Sequence, residues 1–319
     1  MLKMPLAAVP NMKESIKLLI IDSLNPGPHV LIVAGVHGDE YEPMMAAWEL
    51  YHSLHNKLSI GKVTIVPIVN KSSYENNSRL GTDDLDLART CPGKANGTPT
   101  EIAADAVSRL IGTADYFVDM HTGGLAFDII PLAGYALVKD EKTLEKQKQM
   151  AACFNMPFIW GTDATMQGRT LSVARDAHVP GIYLEYGGGT AIRKEVIEKY
   201  KNGCINMLRY LKMTAGVCSL EKGSGTYWLE DATPDSGHLQ TKMPSPIAGV
   251  FVSDVKIGDI VNKGQSFGKI LNPQSGESTA VYAGIDGLVI LLRILVKVNK
   301  GDTLGHIVPI YEQGMKIIK

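Results

Sequence analysis

Short apolar runs alternate with longer segments of helical periodicity between residues 17 and 212. The apolar runs predict β-strands at residues 17–21, 30–34, 63–69, 116–119, 133–138 and 182–185. The periodic segments predict α-helices at residues 42–55, 99–111, 141–154, 171–177 and 193–212. Thr98, Pro99 and Glu101 supply an N-cap, a first-turn proline and a capping carboxylate for the second of these helices. This alternation predicts an α/β fold whose sheet is covered by helices.

The pattern changes after residue 219 to turns, glycines and β-branched residues without helical periodicity. An internal repeat is present there, because the sequence Val-Asn-Lys-Gly of residues 261–264 recurs at residues 298–301. Two such units predict a small all-β barrel-sandwich, as in biotinyl and lipoyl carrier domains. Those carriers present a lysine between their halves, and the corresponding residues 272–278 contain none, so we reject a carrier role. We predict two domains, at residues 1–220 and 221–319.

Composition indicates an ordinary, nearly neutral globular protein. The 319 residues are 45% hydrophobic and 20% charged, and the net charge of −1 provides no basic field for nucleic acid. The four cysteines lack paired spacing, and no apolar stretch is long enough for a membrane span. Residues 1–12 also lack the apolar core of a signal peptide. We predict a cytoplasmic protein with no nucleic-acid or membrane partner, and we leave a homo-oligomer open.

Several predicted strands end in side chains that can bind a metal or transfer a proton. In chain order these are His37 with Glu40, then His121, then Glu185. The carboxyl ends of parallel strands meet along one edge of a sheet, so these side chains are predicted to converge. Two imidazoles and one carboxylate are typical ligands of a zinc ion with an open coordination position. We therefore predict a metal site formed by His37, Glu40 and His121, with Glu185 beside it.

Each of these side chains also has a purely structural interpretation. His121 could be a hydrogen-bonded core histidine, and Glu185 could accept hydrogen bonds from backbone amides at a strand end. Their joint occurrence at strand ends favours the metal site. Asp119 lies two residues before His121 on the same strand face. It either orients that imidazole or is an ordinary polar residue near the strand end.

A polar segment without periodicity, residues 70–98, contains Arg79 and Arg89. A loop of this length inside a compact domain is more often functional than incidental. Guanidinium groups bind carboxylates and oxyanions, but spacing alone favours two solvent-exposed side chains. Arg169 lies at the start of a predicted helix, where it has a structural interpretation as a helix-entry arginine.

The chain resembles the succinylglutamate desuccinylase/aspartoacylase family, which is related to the zinc carboxypeptidases. The similarity rests on His-x-x-Glu at residues 37–40, on Asp-x-His-Thr-Gly at residues 119–123, and on Glu185 before a glycine run. It implies a zinc-carboxypeptidase-like mixed sheet, one Zn²⁺ per chain and hydrolysis of an amide bond. The resemblance extends into residues 221–319, and it implies a β domain that borders the active-site entrance.

The resemblance also assigns roles to the arginines. It implies that Arg79 polarises the scissile carbonyl, that Arg89 binds the substrate carboxylate, and that Arg169 contacts the acyl or side-chain carboxylate. The family pattern Asp-Leu-Asn-Arg is Asp-Leu-Ala-Arg in this chain. Ala88 therefore removes one hydrogen-bond donor that the resemblance would assign to the substrate carboxylate.

We predict a zinc-dependent amidohydrolase that cleaves the amide bond of a small N-acylated amino acid. In this prediction Glu185 is the general base and Arg79 stabilises the oxyanion, while Arg89 and Arg169 bind the substrate. One alternative is a zinc carboxypeptidase that acts on short or modified peptides at the same site. The other alternative is a non-catalytic metal-binding module.

Overall fold

The computed structural model describes residues 16–220, 226–309 and 315–318. Within these residues the α-helices are α1 Tyr41–Leu54, α2 Lys71–Glu75, α3 Pro99–Ile111, α4 Glu141–Ala152, α5 Thr170–Asp176 and α6 Lys194–Tyr210. The strands of the first part are β1 Leu19–Asp22, β2 His29–Val33, β3 Lys62–Val66, β4 Tyr116–His121, β5 Phe127–Ala136, β6 Phe158–Thr162 and β7 Gly181–Gly187. The later strands are β8 Thr226–Glu230, β9 Gly249–Ser253, β10 Ile260–Val261, β11 Ser266–Leu271, β12 Ser278–Tyr282, β13 Gly287–Arg293, β14 Lys297–Val298, β15 Gly305–Pro309 and β16 Met315–Ile318.

A large mixed sheet with the strand order β1-β3-β2-β4-β7-β5-β6-β8-β16 forms the centre of the fold. Strands β3, β2, β4 and β7 run parallel to one another, so their carboxyl ends lie along one edge. Strand β1 is antiparallel to β3, and β5 is antiparallel to β7. The predicted mixed α/β class is confirmed, and its carboxypeptidase-like detail stays a prediction.

Helices cover both faces of the sheet. Helices α1, α4 and α6 contribute Leu50, Met150 and Tyr200 to one buried cluster. Helices α3 and α5 contribute Val107 and Ala174 to a second cluster. Burial of apolar surface stabilises a fold by roughly 25 cal/mol per Å², so these two layers hold the strand ends in place.

The predicted helices end within two residues of the observed bounds. The capping interaction at α3 is present, because the Thr98 amide donates a 3.0 Å hydrogen bond to the Glu101 carboxylate. The strand predicted at 133–138 instead occupies Phe127–Ala136, and the sequence did not predict β6. All five residues of β6 are buried, so this strand lacks the alternation that identifies a half-exposed strand.

The described residues after 226 form strands and no α-helix. Strands β12, β11, β9 and β14 form a second sheet in that order. The internal repeat appears as two equivalent turns, in which Gly264 (φ 84°) and Gly301 (φ 92°) adopt the left-handed conformation. Strands β8 and β13 instead join the large sheet through β6 and β5. The division at residue 220 stays a prediction, and residues 221–225 lie outside the described ranges.

In the described ranges, no helix combines the length and the apolar character needed to span a bilayer. Residues 1–12, where the sequence lacks a signal-peptide core, lie outside those ranges. The predicted cytoplasmic location therefore stays a prediction.

Candidate active site

His37 and Glu40 lie in the turn that connects β2 to α1. Gly35 adopts a left-handed conformation there, with φ 64°. Gly38 lies against the backbone of Ser73, where a Cβ atom would approach to 2.0 Å. Glu40 occupies the N-cap position of α1. The strand and the helix predicted on either side of this turn are confirmed, and the His-Glu pair lies between them.

His121 and Glu185 lie on the adjacent parallel strands β4 and β7. They are direct partners in the register of these strands, so their side chains emerge on the same face. The hydroxyl of Tyr200 donates a 2.5 Å hydrogen bond to the carbonyl oxygen of His121 and holds the end of β4. The strand ends therefore bring together residues that are far apart in sequence.

The three predicted metal ligands form one buried cluster. The Glu40 carboxylate lies between two imidazoles, with Oε1 2.7 Å from Nδ1 of His37 and Oε2 2.9 Å from Nδ1 of His121. One ligand atom from each residue lies within 4.8 Å of the others. Burial raises the pKa of Glu40, but the two imidazoles outweigh burial and hold that pKa below its ordinary range. Burial lowers the pKa of His121, but Asp119 and Glu40 raise it well above its ordinary value.

The second nitrogen of each imidazole faces another carboxylate. Nε2 of His37 lies 3.2 Å from Oδ1 of Asp86, and Nε2 of His121 lies 3.1 Å from Oδ1 of Asp119. The other oxygen of Asp119 accepts a 2.5 Å hydrogen bond from the hydroxyl of Thr170. In metal sites, carboxylates in such positions orient the imidazoles and determine which ring nitrogen carries the proton. The Nδ1 atoms of both imidazoles face the Glu40 carboxylate.

This donor set fits zinc. Catalytic zinc sites combine three nitrogen or carboxylate ligands with one open position, and His37, Glu40 and His121 supply such a set. Across the described part of the chain, this is the single group of histidine, cysteine or acidic side chains with such spacing. The carboxylates behind both imidazoles add the outer contacts that metal sites require.

A cavity of about 100 Å³ opens beside the cluster. Its lining includes His37, Arg79, Arg89, His121, Arg169 and Glu185. Burial raises the pKa of Glu185 to about 8, against the opposing charge of His121. Oε2 of Glu185 is buried and has no hydrogen-bond partner within the described residues. A carboxyl group with these properties can exchange a proton near neutral pH.

The arginines approach this cavity from different elements. Arg79 is anchored by Asp86, whose Oδ2 lies 3.0 Å from both Nε and Nη2. Arg89 is exposed and directs its Nη1 to the carbonyl oxygen of Ala88 at 2.7 Å. Arg169 is partly buried at the start of α5. Neither Arg89 nor Arg169 forms an ion pair within the described ranges, so both can receive an anionic group.

The sequence profile of the succinylglutamate desuccinylase/aspartoacylase catalytic domain matches residues 26–211, which is more than half of the chain. The chain belongs to this family. It is also 29% identical over 300 residues to the N-alpha-acetyl-L-2,4-diaminobutyric acid deacetylase of Halomonas elongata. That alignment covers 90% of this chain and 83% of the relative.

Solved structures share the same architecture. The product-bound ectoine utilization protein EutE (DoeB) from Ruegeria pomeroyi is 27% identical, with a TM-score of 0.82 over 92% of this chain and 88% of that one. A succinylglutamate desuccinylase/aspartoacylase from Rhodobacter sphaeroides is 24% identical, with a TM-score of 0.83 over 93% and 90%. Because its sequence identity is only 24%, the Rhodobacter sphaeroides structure supports the fold alone.

Three contributions to the site of this family member were not predicted from its sequence. Asp86 contacts both His37 and Arg79, whereas sequence reasoning treated it only as part of a motif. Tyr183 lines the cavity, and its position two residues before Glu185 is a signal that could have identified it. The segment 237–240 reaches the cavity from beyond residue 220, where the resemblance implies a bordering β domain, but no local sequence pattern indicates which residues make this contact.

Proposed function

We propose that the protein is a zinc-dependent amidohydrolase that cleaves the amide bond of a small N-acylated amino acid. The observation that carries this proposal is the convergence of His37, Glu40 and His121, with Glu185 on the adjacent cavity wall. Family membership supports the same class of reaction, and so does the deacetylase among the relatives.

His37, Glu40 and His121 would hold one Zn²⁺ ion, which when bound lowers the pKa of water and polarises a carbonyl group. Glu185 accepts a proton from the attacking water and donates it to the departing amine. Its unpaired oxygen and its pKa of about 8, raised by burial, support this exchange. Arg79, held by Asp86, stabilises the negative charge that develops on the carbonyl oxygen.

Arg89 and Arg169 indicate an anionic substrate. Burial lowers the pKa of Arg169 to about 10, and the charge of Arg89 contributes to that shift. A carboxylate near both groups would relieve their repulsion, because an opposite charge favours the charged form of each. We assign the amino-acid carboxylate to Arg89 and the acyl or side-chain end to Arg169. Ala88 provides no side-chain donor beside Arg89, so this carboxylate would bind through fewer hydrogen bonds than with asparagine.

The relatives indicate which substrates to assay first. The Halomonas elongata protein is named for the deacetylation of N-alpha-acetyl-L-2,4-diaminobutyric acid. We therefore propose N-acetyl amino acids, including this compound, as the first class and N-succinyl amino acids as the second. The carboxypeptidase alternative predicts cleavage of C-terminal dipeptides by the same site.

A hydrolysis screen of the zinc-loaded protein tests the proposal. It compares N-acetyl, N-succinyl and N-formyl amino acids with dipeptides. The Glu185→Gln variant, which lacks the proposed general base, is assayed beside the wild type. We expect the wild type to release a free amino acid from an N-acyl substrate, and the variant to bind zinc without turnover. Cleavage of dipeptides alone would favour the carboxypeptidase. Zinc binding without any hydrolysis would favour the non-catalytic module.

A further inference from the structure

The cavity contains a polar group that the proposed mechanism does not use. Tyr183 lies two residues before Glu185 on β7, so both side chains emerge on the same face. Tyr183 lines the same cavity as Glu185 and Arg169. Its hydroxyl oxygen is buried and has no hydrogen-bond partner among the described residues. A buried hydroxyl without a partner costs free energy, so this one points to a ligand group that completes the site.

The neighbouring strand provides the space for this ring. Gly134 on β5 is the register partner of Tyr183 on β7. A Cβ atom at residue 134 would lie 2.0 Å from Cε1 and 2.5 Å from the hydroxyl oxygen of Tyr183. Glycine at this position therefore allows the phenol to lie against β5. Any larger residue would displace it from its place in the cavity wall.

Arg169 supplies a second unpaired donor. Its Nη1 donates to the carbonyl oxygen of Gly237 at 3.2 Å, and its Nη2 lies 3.1 Å from Nδ1 of His238. Its Nε is buried and has no acceptor in the described part of the chain. Burial and the charge of Glu185 raise the pKa of Tyr183, so its hydroxyl keeps its proton and can donate it to a hydrogen bond. The cavity thus presents two donors without an acceptor.

We propose that Tyr183 is a substrate-binding residue, and that its hydroxyl and the Nε of Arg169 donate hydrogen bonds to a carboxylate at the acyl or side-chain end of the substrate, the end assigned above to Arg169. A carboxylate provides two acceptor oxygens, whereas a carboxamide would direct an NH₂ group at one of the donors. Tyr183 therefore selects an anionic group over its neutral amide. This role adds a substrate contact to the proposed function, and the kinetic test of Tyr183 rests on that function.

Tyr183→Phe removes the hydroxyl and keeps the ring against Gly134. For a substrate from the screen that carries such a carboxylate, for example an N-succinyl amino acid, we expect KM to rise about tenfold while kcat stays within about twofold, because a hydrogen bond to a charged group is lost from binding. Gly134→Ala displaces the ring and should raise KM at least as much. Tyr186→Phe is the matched control and leaves KM unchanged, because Tyr186 packs against the core on the other face of β7.

Succinate binding to the zinc-loaded protein, measured by calorimetry, tests Tyr183 without turnover. We expect the wild type to bind succinate about tenfold more tightly than Tyr183→Phe. If the wild type hydrolyses nothing in the screen, the proposed function fails, and the succinate comparison still decides the role of Tyr183. Equal succinate affinities, no binding by the wild type, or a fall in kcat at constant KM would overturn this role.

Discussion

Replacement of Asp86 by asparagine should break one of the two contacts that this carboxylate makes with His37 and Arg79. Oδ1 lies 3.2 Å from Nε2 of His37, and Oδ2 lies 3.0 Å from Nε and Nη2 of Arg79. Burial raises the pKa of Asp86, but His37 and Arg79 lower it below its usual range, so the group is ionised. Asparagine offers a single oxygen, and its amide nitrogen must face either the imidazole or the guanidinium. One of the two contacts is therefore lost.

We expect Asp86→Asn to weaken zinc binding about 10- to 100-fold, or about 1.4–2.7 kcal/mol, because the carboxylate orients a ligating imidazole. Competition with a chromogenic chelator measures this loss directly. Asp84→Asn is the matched control, since Asp84 is exposed in the same loop and makes no side-chain hydrogen bond within the described ranges. Zinc affinity in Asp86→Asn equal to that of the wild type would refute the orienting role.

Three further predictions concern catalysis, pH and packing. Glu185→Gln should keep its zinc and lose at least about 100-fold in kcat, measured with the substrate from the screen. Burial raises the pKa of Glu185 from 4.5 to about 8. Between these values the folded state holds a proton that the unfolded chain has released, so the contribution of Glu185 to stability falls as pH rises. In urea titrations with a chelator present, the free energy of unfolding of Glu185→Gln minus that of the wild type should rise by at most about 4 kcal/mol from pH 5 to pH 8. A difference that does not change with pH would exclude this shift. Gly38→Ala should cost about 1–3 kcal/mol and reduce zinc binding, because its Cβ would meet the Ser73 backbone at 2.0 Å. Thermal unfolding measures this cost, and Gly284→Ala, where the added Cβ meets open space, should be near neutral in that assay.

The convergence of His37, Glu40 and His121 could be predicted because each lies at or after the end of an apolar strand, and parallel strands bring their ends to one edge. The same rule predicts that His121 and Glu185 lie close together. The structure places them side by side, because β4 and β7 are direct neighbours. The position of Asp86 could not be predicted in this way. It depends on the path of residues 70–98, where local turns and not periodicity determine the structure.

The limits of fold prediction have a similar cause. Strand β6 is buried along its whole length and therefore lacks alternation. The contact between Arg169 and His238 joins segments 69 residues apart, and neither segment carries a pattern that specifies the other. Pairing of β13 with β5 likewise depends on the packed structure and not on a local sequence pattern.

The zinc content of the purified protein tests the central claim most directly. Elemental analysis after gel filtration in metal-free buffer should find about one zinc per chain in the wild type and in the exposed-histidine control His52→Ala. The same measurement should find the zinc largely absent from His121→Ala, because one of the three proposed ligands is removed. A wild type without zinc, or His121→Ala with an undiminished equivalent, would contradict the account.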